Sequence, residues 1–373
     1  MTGVILIAAG GTGGHLFPAE ALAVALGKRG WRIQLATDHR VEAYGQDFPA
    51  ETIHIIPSAT ITRSPIAALR AVYLLTRGFF RARTIVRKVS PAAAIGFGGY
   101  PTVPPVLAAS LSRVPTIIHE QNAVIGRANR FLGSRATAIA SSFATVGGAE
   151  HLAGRMVETG NPVRPAVRAA ASTAYPALGP DDRLRLLVFG GSQGARFMSD
   201  LVPPALASMP EALRSRLLVT QQCRPEDMSR VADAYRAMVV DAELAPFFRD
   251  MPERIAGSHL VVCRAGASTV AELAVIGRPA IMVPLPHALD QDQKANAEVL
   301  EKAGGGWMVE QKNMTPERLA ADIAELIGDP DRLAAAAIAA RSMGRPDAVE
   351  RLADLVEKVA AHESLEGIRE QLT

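Results

Sequence analysis

Short apolar runs alternate with stretches of helical periodicity along the 373-residue chain. The runs that predict β-strands cover residues 4–9, 32–37, 92–97, 115–119, 136–140, 184–189, 217–220, 260–264 and 279–283. Apolar runs of this length between turn residues are typical of buried parallel strands, and helices between them cover both faces of a sheet. The pattern therefore predicts an α/β fold built on parallel sheets.

The opening unit of the chain recurs further on. A strand over 4–9 leads into a glycine loop at 10–14 and a helix that ends near Lys28, where Gly30 can close it. The same order returns after 180 residues (190 − 10), with a glycine loop at 190–194 and a helical stretch at 197–209. Pro203 and Pro204 are expected to interrupt that second helix.

Repetition of one supersecondary unit predicts two similar halves. Residues 169–183 are rich in Ala, Ser, Pro, Gly and Asp, which is typical of a linker. We therefore expect an N-terminal domain at 1–163 and a C-terminal domain at 164–345. A final amphipathic helix that begins near Pro346 is expected to carry 346–373 back onto the first domain.

Composition and charge narrow the function. The formal net charge is only +3, so a nucleic-acid partner is not expected. Cys223 and Cys263 form neither a disulfide framework nor a metal-ligand pattern, which favours a reducing compartment. No leader segment is visible and no apolar run reaches the roughly 18 residues of a membrane span. At most, the protein is expected to lie on a membrane surface.

Three glycine loops, at 10–14, 96–99 and 190–194, are the strongest candidate sites. A strand that runs through such a loop into a helix points free N–H groups and the positive helix end at one place, which attracts phosphate. One loop alone is compatible with an ordinary tight turn, but three of them predict a phosphate-containing ligand. None matches G-x-G-x-x-G or a P-loop, so a dinucleotide oxidoreductase and an NTPase are disfavoured.

Several longer motifs then carry a resemblance to a known family. They are GGTGGHLFP at 10–18, GGYP at 98–101, HEQN at 119–122, TGNPVR at 159–164, GGSQGA at 190–195 and RAGAST at 264–269. Over essentially its whole length the chain resembles the MurG family of bacterial cell-wall glycosyltransferases. The resemblance implies the GT-B fold, with two Rossmann-like domains facing across a cleft, and an inverting reaction that uses no metal or other cofactor.

The resemblance also implies the substrates. It predicts transfer of GlcNAc from UDP-GlcNAc to the C4 hydroxyl of the MurNAc unit of lipid I, the undecaprenyl-linked acceptor, to give lipid II for peptidoglycan. The donor would lie mainly on the C-terminal half. The residues implied to contact it are Thr12, Gly13, Gly14, Asn122, Arg164, Ser192, Gln193, Phe248, Glu272, Gln293 and Asn296.

Within this implied set, Ser192 and Gln193 would lie by the diphosphate. Arg164 and the backbone around Phe248 would hold the uracil, and Glu272 the ribose hydroxyls. The remaining implied contacts are Gln293 and Asn296 at the sugar, His15 and Asn122 at the reacting centre, and Gly98, Gly99 and Tyr100 on the acceptor side. The chain departs from the family at Asp292, where Gln or His is frequent, and at Thr102-Val103-Pro104-Pro105.

Three candidate site residues, Glu272, His15 and Glu120, each have a second interpretation. Residues 269–272 match a T-x-x-E capping box, with Glu272 in the first turn of a helix. His15 and Glu120 are rival general bases, and Glu120 could instead cap the helix that follows its loop.

Two further patterns also remain open at this point. Arg164 and Arg264 are either surface ion-pair partners or cleft residues that stack on a base or pair with phosphate. Residues 290–292 read D-x-D, a metal–diphosphate pattern of other glycosyltransferases. That spacing recurs by chance, so no metal is expected.

A basic, apolar segment lies within the first half. Residues 52–119 contain no Asp or Glu at all. Within this segment, residues 66–88 combine arginines with large apolar side chains, and Gly78 in the middle could break a helix. The residues expected to meet a membrane are Leu69, Tyr73, Phe79, Phe80, Arg77, Arg81 and Arg83. This pattern predicts peripheral attachment to the anionic cytoplasmic face of the inner membrane. The alternative is a core helix with a basic outer face.

Two other functions fit the same fold and loops. One is another GT-B enzyme, such as a diacylglycerol glycosyltransferase or a UDP-GlcNAc 2-epimerase, of which the epimerase needs neither a lipid nor the basic segment. The other is a non-catalytic nucleotide-sugar-binding scaffold. The presence of both His15 and Glu120 disfavours the scaffold.

Overall fold

The computed structural model of the protein describes residues 3–10, 13–43, 48–59, 65–179, 182–191, 194–286 and 290–372. The chain divides into two compact units. Unit 1 comprises residues 1–164 and 346–373, and unit 2 comprises 165–345.

The elements follow one another in the alternating order that the apolar pattern predicts. The first part of unit 1 contains β1 (Val4–Ala8), α1 (Gly13–Lys28), β2 (Arg32–Thr37), β3 (Thr52–Ile55), α2 (Pro65–Val89), β4 (Ala93–Gly96), α3 (Val103–Leu111), β5 (Thr116–Glu120), α4 (Arg127–Gly133), β6 (Ala138–Ser141) and β7 (Met156–Glu158). Unit 2 contains α5 (Pro165–Ala170), β8 (Leu184–Phe189), α6 (Arg196–Ser208), α7 (Glu211–Arg214), β9 (Leu217–Gln222), α8 (Met228–Ala237), β10 (Asp241–Ala245), α9 (Met251–Gly257), β11 (Leu260–Cys263), α10 (Ala267–Ile276), β12 (Ala280–Met282), α11 (Asp292–Lys302), β13 (Gly306–Met308), α12 (Pro316–Ile327) and α13 (Pro330–Ser342). The chain then returns to unit 1 with α14 (Ala348–Ala360) and α15 (Leu365–Leu372).

Both units are built on a fully parallel sheet. The strand order is β3-β2-β1-β4-β5-β6-β7 in unit 1 and β10-β9-β8-β11-β12-β13 in unit 2. In each sheet the first strand of the unit lies between two later ones, so the order reverses beside it. Ligands of open α/β sheets bind at such a reversal, beyond the carboxyl ends of the strands. The predicted fold class, two Rossmann-like α/β units, is confirmed.

The glycine in the middle of α2 corrects one expectation. Gly78 does not break the helix, which is continuous over Pro65–Val89. A Cβ at Gly78 would lie 2.2 Å from the carbonyl oxygen of Pro57, so glycine allows the helix to approach the backbone that follows β3. Phe79 is also corrected, because its ring is half-buried against the core instead of belonging to the exposed face.

The two prolines of α6 correct another expectation, since they do not interrupt this helix. The amide of residue 203 would normally donate to the carbonyl of Ser199, and proline cannot do so. Arg230 replaces that donor, with its Nη1 3.3 Å from the Ser199 carbonyl oxygen. Met198, Leu201, Val202, Ala205 and Leu206 bury the same helix in the core of unit 2.

The helix α14 completes the core of unit 1. Val349, Leu352, Val356 and Val359 are buried along one face of it. Arg29, just after α1, forms ion pairs with Asp354 at 2.6 Å and Glu357 at 2.7 Å, and Trp31 Nε1 donates to Glu357 at 2.8 Å.

Among the described helices, none combines the length and the apolar character needed to cross a bilayer.

Candidate functional site

The first two glycine loops of unit 1 meet around His15. Gly10 follows β1, while Gly98 and Gly99 follow the neighbouring strand β4. A Cβ on Gly98 would lie 3.5 Å from His15 Cε1, and one on Gly99 would lie 3.5 Å from His15 Nε2. Both glycines have positive φ, +86° and +77°. Glycine at these positions therefore lets the backbone turn closely around the imidazole, at the reversal point of the sheet.

Gln121 lies beside the His15 ring. Its amide Nε2 donates to the Phe97 carbonyl at 3.2 Å and lies 3.4 Å from His15 Nδ1. At 3.4 Å the second contact is long for a hydrogen bond, so it aligns the ring weakly. The sequence motif at 119–122 includes this glutamine, but the reasoning from sequence assigned it no role.

Glu120, at the end of β5, is buried and accepts four hydrogen bonds. Its Oε1 accepts from Asn122 N at 3.0 Å and Asn122 Nδ2 at 3.4 Å. Its Oε2 accepts from Gly126 N at 2.9 Å and Asn129 Nδ2 at 2.8 Å. Burial raises the pKa of Glu120, and the four donors act in the opposite direction. Through these bonds the carboxyl group holds the loop at 121–126 and the first turn of α4.

The neighbouring His119 is a buried support for the next segment. Its Nε2 donates to the Gly160 carbonyl at 3.2 Å, and its ring packs on Phe97 with the centroids 5.2 Å apart. Burial lowers the pKa of His119 to about 4, and the Gly160 bond opposes this shift. This imidazole is therefore neutral near pH 7 and fixes the turn that leads toward Arg164.

Arg164 lies against the beginning of α1. Its guanidinium carbon is 5.2 Å from the centroid of the Phe17 ring, a cation–π geometry. A Cβ on Gly13 would approach the same ring to 3.0 Å. Arg164 and the first glycine loop are thus neighbours within unit 1. Thr12, which is predicted to contact the donor, lies outside the described residues.

Tyr100, predicted on the acceptor side, begins a short 3₁₀ turn over Tyr100–Thr102. Thr102 Oγ1 donates to the Gly99 carbonyl at 2.8 Å, which ties this turn to the glycine pair beside His15. Tyr100 is half-buried and Thr102 is fully buried. The predicted acceptor-side residues therefore form one continuous turn next to the imidazole.

The third glycine loop occupies the matching reversal point of unit 2, after β8. A Cβ on Gly190 would lie 2.3 Å from the Ala195 nitrogen, so the loop folds back tightly on the start of α6. Gly191 and Gly194 both have positive φ, +89° and +65°. Ser192 and Gln193, predicted at the diphosphate, lie outside the described residues.

Phe248 follows β10, two strands away from β8. It is buried, and the guanidinium carbon of Arg254 lies 4.1 Å from the centroid of its ring. Glu243 and Asp250 hold Arg254 by hydrogen bonds of 2.6 Å and 2.9 Å. The segment predicted to hold the uracil is therefore packed against a fixed arginine.

The capping-box interpretation of Glu272 is wrong. Gly266, in an extended conformation, is the N-cap of α10, so Thr269 is the third residue of the helix and cannot cap it. Glu272 is the sixth residue of α10 and is half-buried. The helix begins early because β11 passes directly into it through Arg264-Ala265-Gly266.

Arg264 supports this turn from inside. It is buried and donates to the carbonyls of Val283 at 2.9 Å and Pro284 at 3.2 Å, and to Gln311 Oε1 at 2.7 Å. The interpretation of Arg264 as a surface ion-pair partner is therefore wrong. Its hydrogen bonds join the ends of β11 and β12.

The helix α11 brings Gln293 and Asn296 to the same edge. Gln293 Oε1 accepts from Leu285 N at 3.0 Å, and the buried Asn296 donates to the Ala265 carbonyl at 3.2 Å. Asp292 is the first residue of this helix, and its Oδ1 accepts from Gln293 N at 2.9 Å. Within the described residues, no three His, Cys, Asp or Glu side chains form a possible metal site.

Comparison with known proteins adds two matches to domain families. Residues 5–141 match the glycosyltransferase family 28 N-terminal domain, and residues 185–352 match the glycosyltransferase family 28 C-terminal domain.

The relatives of the chain include proteins named UDP-N-acetylglucosamine--N-acetylmuramyl-(pentapeptide) pyrophosphoryl-undecaprenol N-acetylglucosamine transferase. One, from Methylobacterium sp. (strain 4-46), is 61% identical over 360 residues, 96% of this chain and 97% of the relative. Another, from Mesorhizobium japonicum, is 54% identical over 371 residues, 98% of each chain.

Among solved structures, MurG of Acinetobacter baumannii is similar with a TM-score of 0.77 and 31% identity, over 96% of this chain and 100% of that one. UDP-GlcNAc 2-epimerase of Neisseria meningitidis, bound to UDP-GlcNAc, has a TM-score of 0.68 at 13% identity, over 95% of this chain and 100% of that one. At that identity the epimerase shares the fold alone.

Proposed function

Because the chain belongs to glycosyltransferase family 28, we propose that it transfers GlcNAc from UDP-GlcNAc to undecaprenyl-pyrophosphoryl-MurNAc-pentapeptide, forming lipid II. The observation that carries this proposal is the 61% identity, across 96% of the chain, to a transferase named for that reaction. The diacylglycerol glycosyltransferase, epimerase and scaffold alternatives have no support of that kind.

The donor side of the reaction suits unit 2. The N-termini of α6 and α10 follow β8 and β11, which are neighbours in the sheet, so both helices begin at one edge. Two helix N-termini can stabilise the charge that develops on the departing UDP without a bound cation. Glu272, with two acceptor oxygens on α10, suits the two ribose hydroxyls.

The acceptor side suits unit 1, and His15 is the better general base. The C4 hydroxyl must lose a proton as it attacks the anomeric carbon, and histidine exchanges protons near neutral pH. The His15 ring lies beside Gly10, Gly98 and Gly99, and none of these three residues carries a side chain that could block the approach of a substrate hydroxyl. Glu120 uses both carboxyl oxygens to hold its own loop, so its role is to position Asn122 and α4.

Membrane attachment through α2 is the third part of the proposal. Leu69, Tyr73 and Phe80 lie on one face of the helix and are 72%, 62% and 60% exposed. Arg77, Arg81 and Arg83 are also exposed around this face. An apolar stripe with arginine neighbours suits an anionic leaflet, and the cytoplasmic leaflet is the anionic one. The proposed site of attachment, where the protein meets its lipid-linked acceptor, is therefore this leaflet.

Turnover with defined substrates tests the proposal. We expect purified protein to glycosylate a soluble lipid I analogue with labelled UDP-GlcNAc, to use UDP-Glc far more slowly, and to remain active in excess EDTA. Conversion of UDP-GlcNAc to an epimer without acceptor would establish the epimerase alternative. Binding of UDP-GlcNAc with no product under any condition would establish the scaffold. Loss of activity in EDTA with rescue by Mn²⁺ would instead make Asp290 and Asp292 candidate ligands.

A further inference from the structure

Gln222 makes a contact that no sequence motif indicated. It is the last residue of β9, only 3% exposed, and its side chain spans two loops. Its Oε1 accepts from Gly190 N at 3.3 Å, and its Nε2 donates to the Pro246 carbonyl at 3.2 Å. Gly190 opens the third glycine loop, and Pro246 lies two residues before Phe248.

The position of β9 in the sheet explains why one side chain reaches both loops. This strand lies between β8, which precedes the glycine loop, and β10, which precedes Phe248. The backbone hydrogen bonds between β9 and β10 end with the one that Cys223 N donates to the Ala245 carbonyl at 3.0 Å. Just beyond this point the Gln222 amide provides the next connection between neighbouring segments.

We propose that Gln222 is a positioning residue of the donor site, which sets the distance between the loop that holds the diphosphate and the segment that holds the uracil. This inference rests on the proposed function. The close fit of Gly190 against the Ala195 nitrogen transmits the position of Gly190 to the start of α6. The Gln222 amide thereby aligns the N-terminus of α6 with the Phe248 segment.

The side-chain amide of Gln222 supplies both contacts from one end. Gly190 offers a donor and Pro246 an acceptor, so the bridging side chain needs one acceptor and one donor at its end. Glutamate would keep the acceptor but place a second oxygen against the Pro246 carbonyl. Methionine would keep the length and the burial and lose both hydrogen bonds.

The adjacent Gln221 provides a matched control. It is also buried, but alternation along the strand places its side chain on the opposite face, where it accepts a hydrogen bond from Tyr235 of α8. No described contact joins it to the glycine loop or to the Phe248 segment. Gln221→Met therefore removes a buried amide of equal size from the same strand without touching either loop.

Binding of UDP and of uridine by calorimetry tests the inference. UDP needs both segments at the correct distance, whereas uridine needs only the base segment. For Gln222→Met we expect UDP to bind at least about tenfold more weakly and uridine to change by less than about threefold. Gln222→Glu should weaken UDP further, because a carboxylate then lies beside the diphosphate loop. Gln221→Met should lower the melting temperature and leave both affinities near the wild-type values.

The outcomes separate this inference from the proposed function. If wild-type protein binds neither UDP nor uridine, the donor assignment fails and the positioning role fails with it. If wild-type protein binds both, equal UDP affinities for Gln222→Met and wild type would overturn the positioning role alone. Equal losses for UDP and uridine would also overturn it, because Gln222 would then support the base segment only.

Discussion

Two side chains of unit 1, His15 and Glu120, have different environments and should respond differently to substitution. His15→Ala removes the proposed proton acceptor and should reduce kcat by about 10²- to 10⁴-fold with little change in stability. Glu120→Gln keeps one acceptor oxygen and turns an amide NH₂ toward two of the four donors described above. That leaves buried donors unsatisfied at about 1–3 kcal/mol each, so the melting temperature should fall.

Steady-state kinetics combined with thermal unfolding distinguishes the two residues, and each variant serves as the control for the other. A Glu120→Gln protein with unchanged melting temperature and a kcat as low as that of His15→Ala would make Glu120 the base. It would also leave His15 as a binding residue.

The residues of the site were predictable from sequence only where a short motif contains the whole interaction. The glycines at 10, 98, 99 and 190 stand next to the turns they permit, so the loops were predictable. Gln121 and Gln222 act across neighbouring strands, and their roles depend on a strand order that the motifs do not contain. The capping-box alternative for Glu272 was wrong because α10 begins three residues earlier than the T-x-x-E pattern indicates.

At the scale of the element, Gly78 and Gly27 are a matched pair of helical glycines. A Cβ at Gly78 would meet the Pro57 carbonyl, whereas nothing lies within 4 Å of one at Gly27 on α1. Gly27→Ala should stabilise the protein by about 0.5–1 kcal/mol through helix propensity. Gly78→Ala should destabilise it by about 1–3 kcal/mol, because α2 must move away from the β3 side.

Urea unfolding monitored on both variants measures these free energies. A Gly78→Ala protein as stable as Gly27→Ala would mean that α2 moves freely from this backbone. The close approach of α2 to the Pro57 carbonyl would then not explain why residue 78 is glycine.

Four of the described strands, β3, β7, β10 and β13, were not predicted from the sequence. Each of them lies at an edge of its sheet. An edge strand is covered on fewer sides, so it needs no continuous apolar run, and the burial along β3 and β10 is at most partial. The central strands carry that run and were predicted with bounds that agree with the structure to within a few residues.

For the whole molecule, the exposed face of α2 predicts salt-sensitive attachment to vesicles. Each basic residue near an anionic surface contributes about 1 kcal/mol, so replacing Arg77, Arg81 and Arg83 by Glu should weaken binding by about a hundredfold or more. Turnover of a short-chain soluble acceptor should remain nearly unchanged, because these residues are exposed on the solvent face of α2 and the proposed donor site belongs to unit 2. Flotation with anionic liposomes measures the attachment.

A charge-matched variant controls for the lower net charge. Arg236, Arg318 and Arg341 are exposed on unit 2, and their replacement by Glu changes the net charge equally. This control should float like wild type. If the α2 variant floats equally well, or if wild-type protein does not float at all, α2 is a core helix with a basic outer face.

The return of α14 to unit 1 has a consequence for biosynthesis. Unit 2 is one uninterrupted stretch, 165–345, whereas unit 1 is assembled from two separated ones. A chain emerging from the ribosome can complete the second unit first, while the sheet of the first still lacks the apolar cover and the ion pairs to Arg29 that α14 provides. During that interval an apolar surface stays open to solvent, so the nascent protein is most exposed to aggregation and to chaperones after most of it has been synthesised.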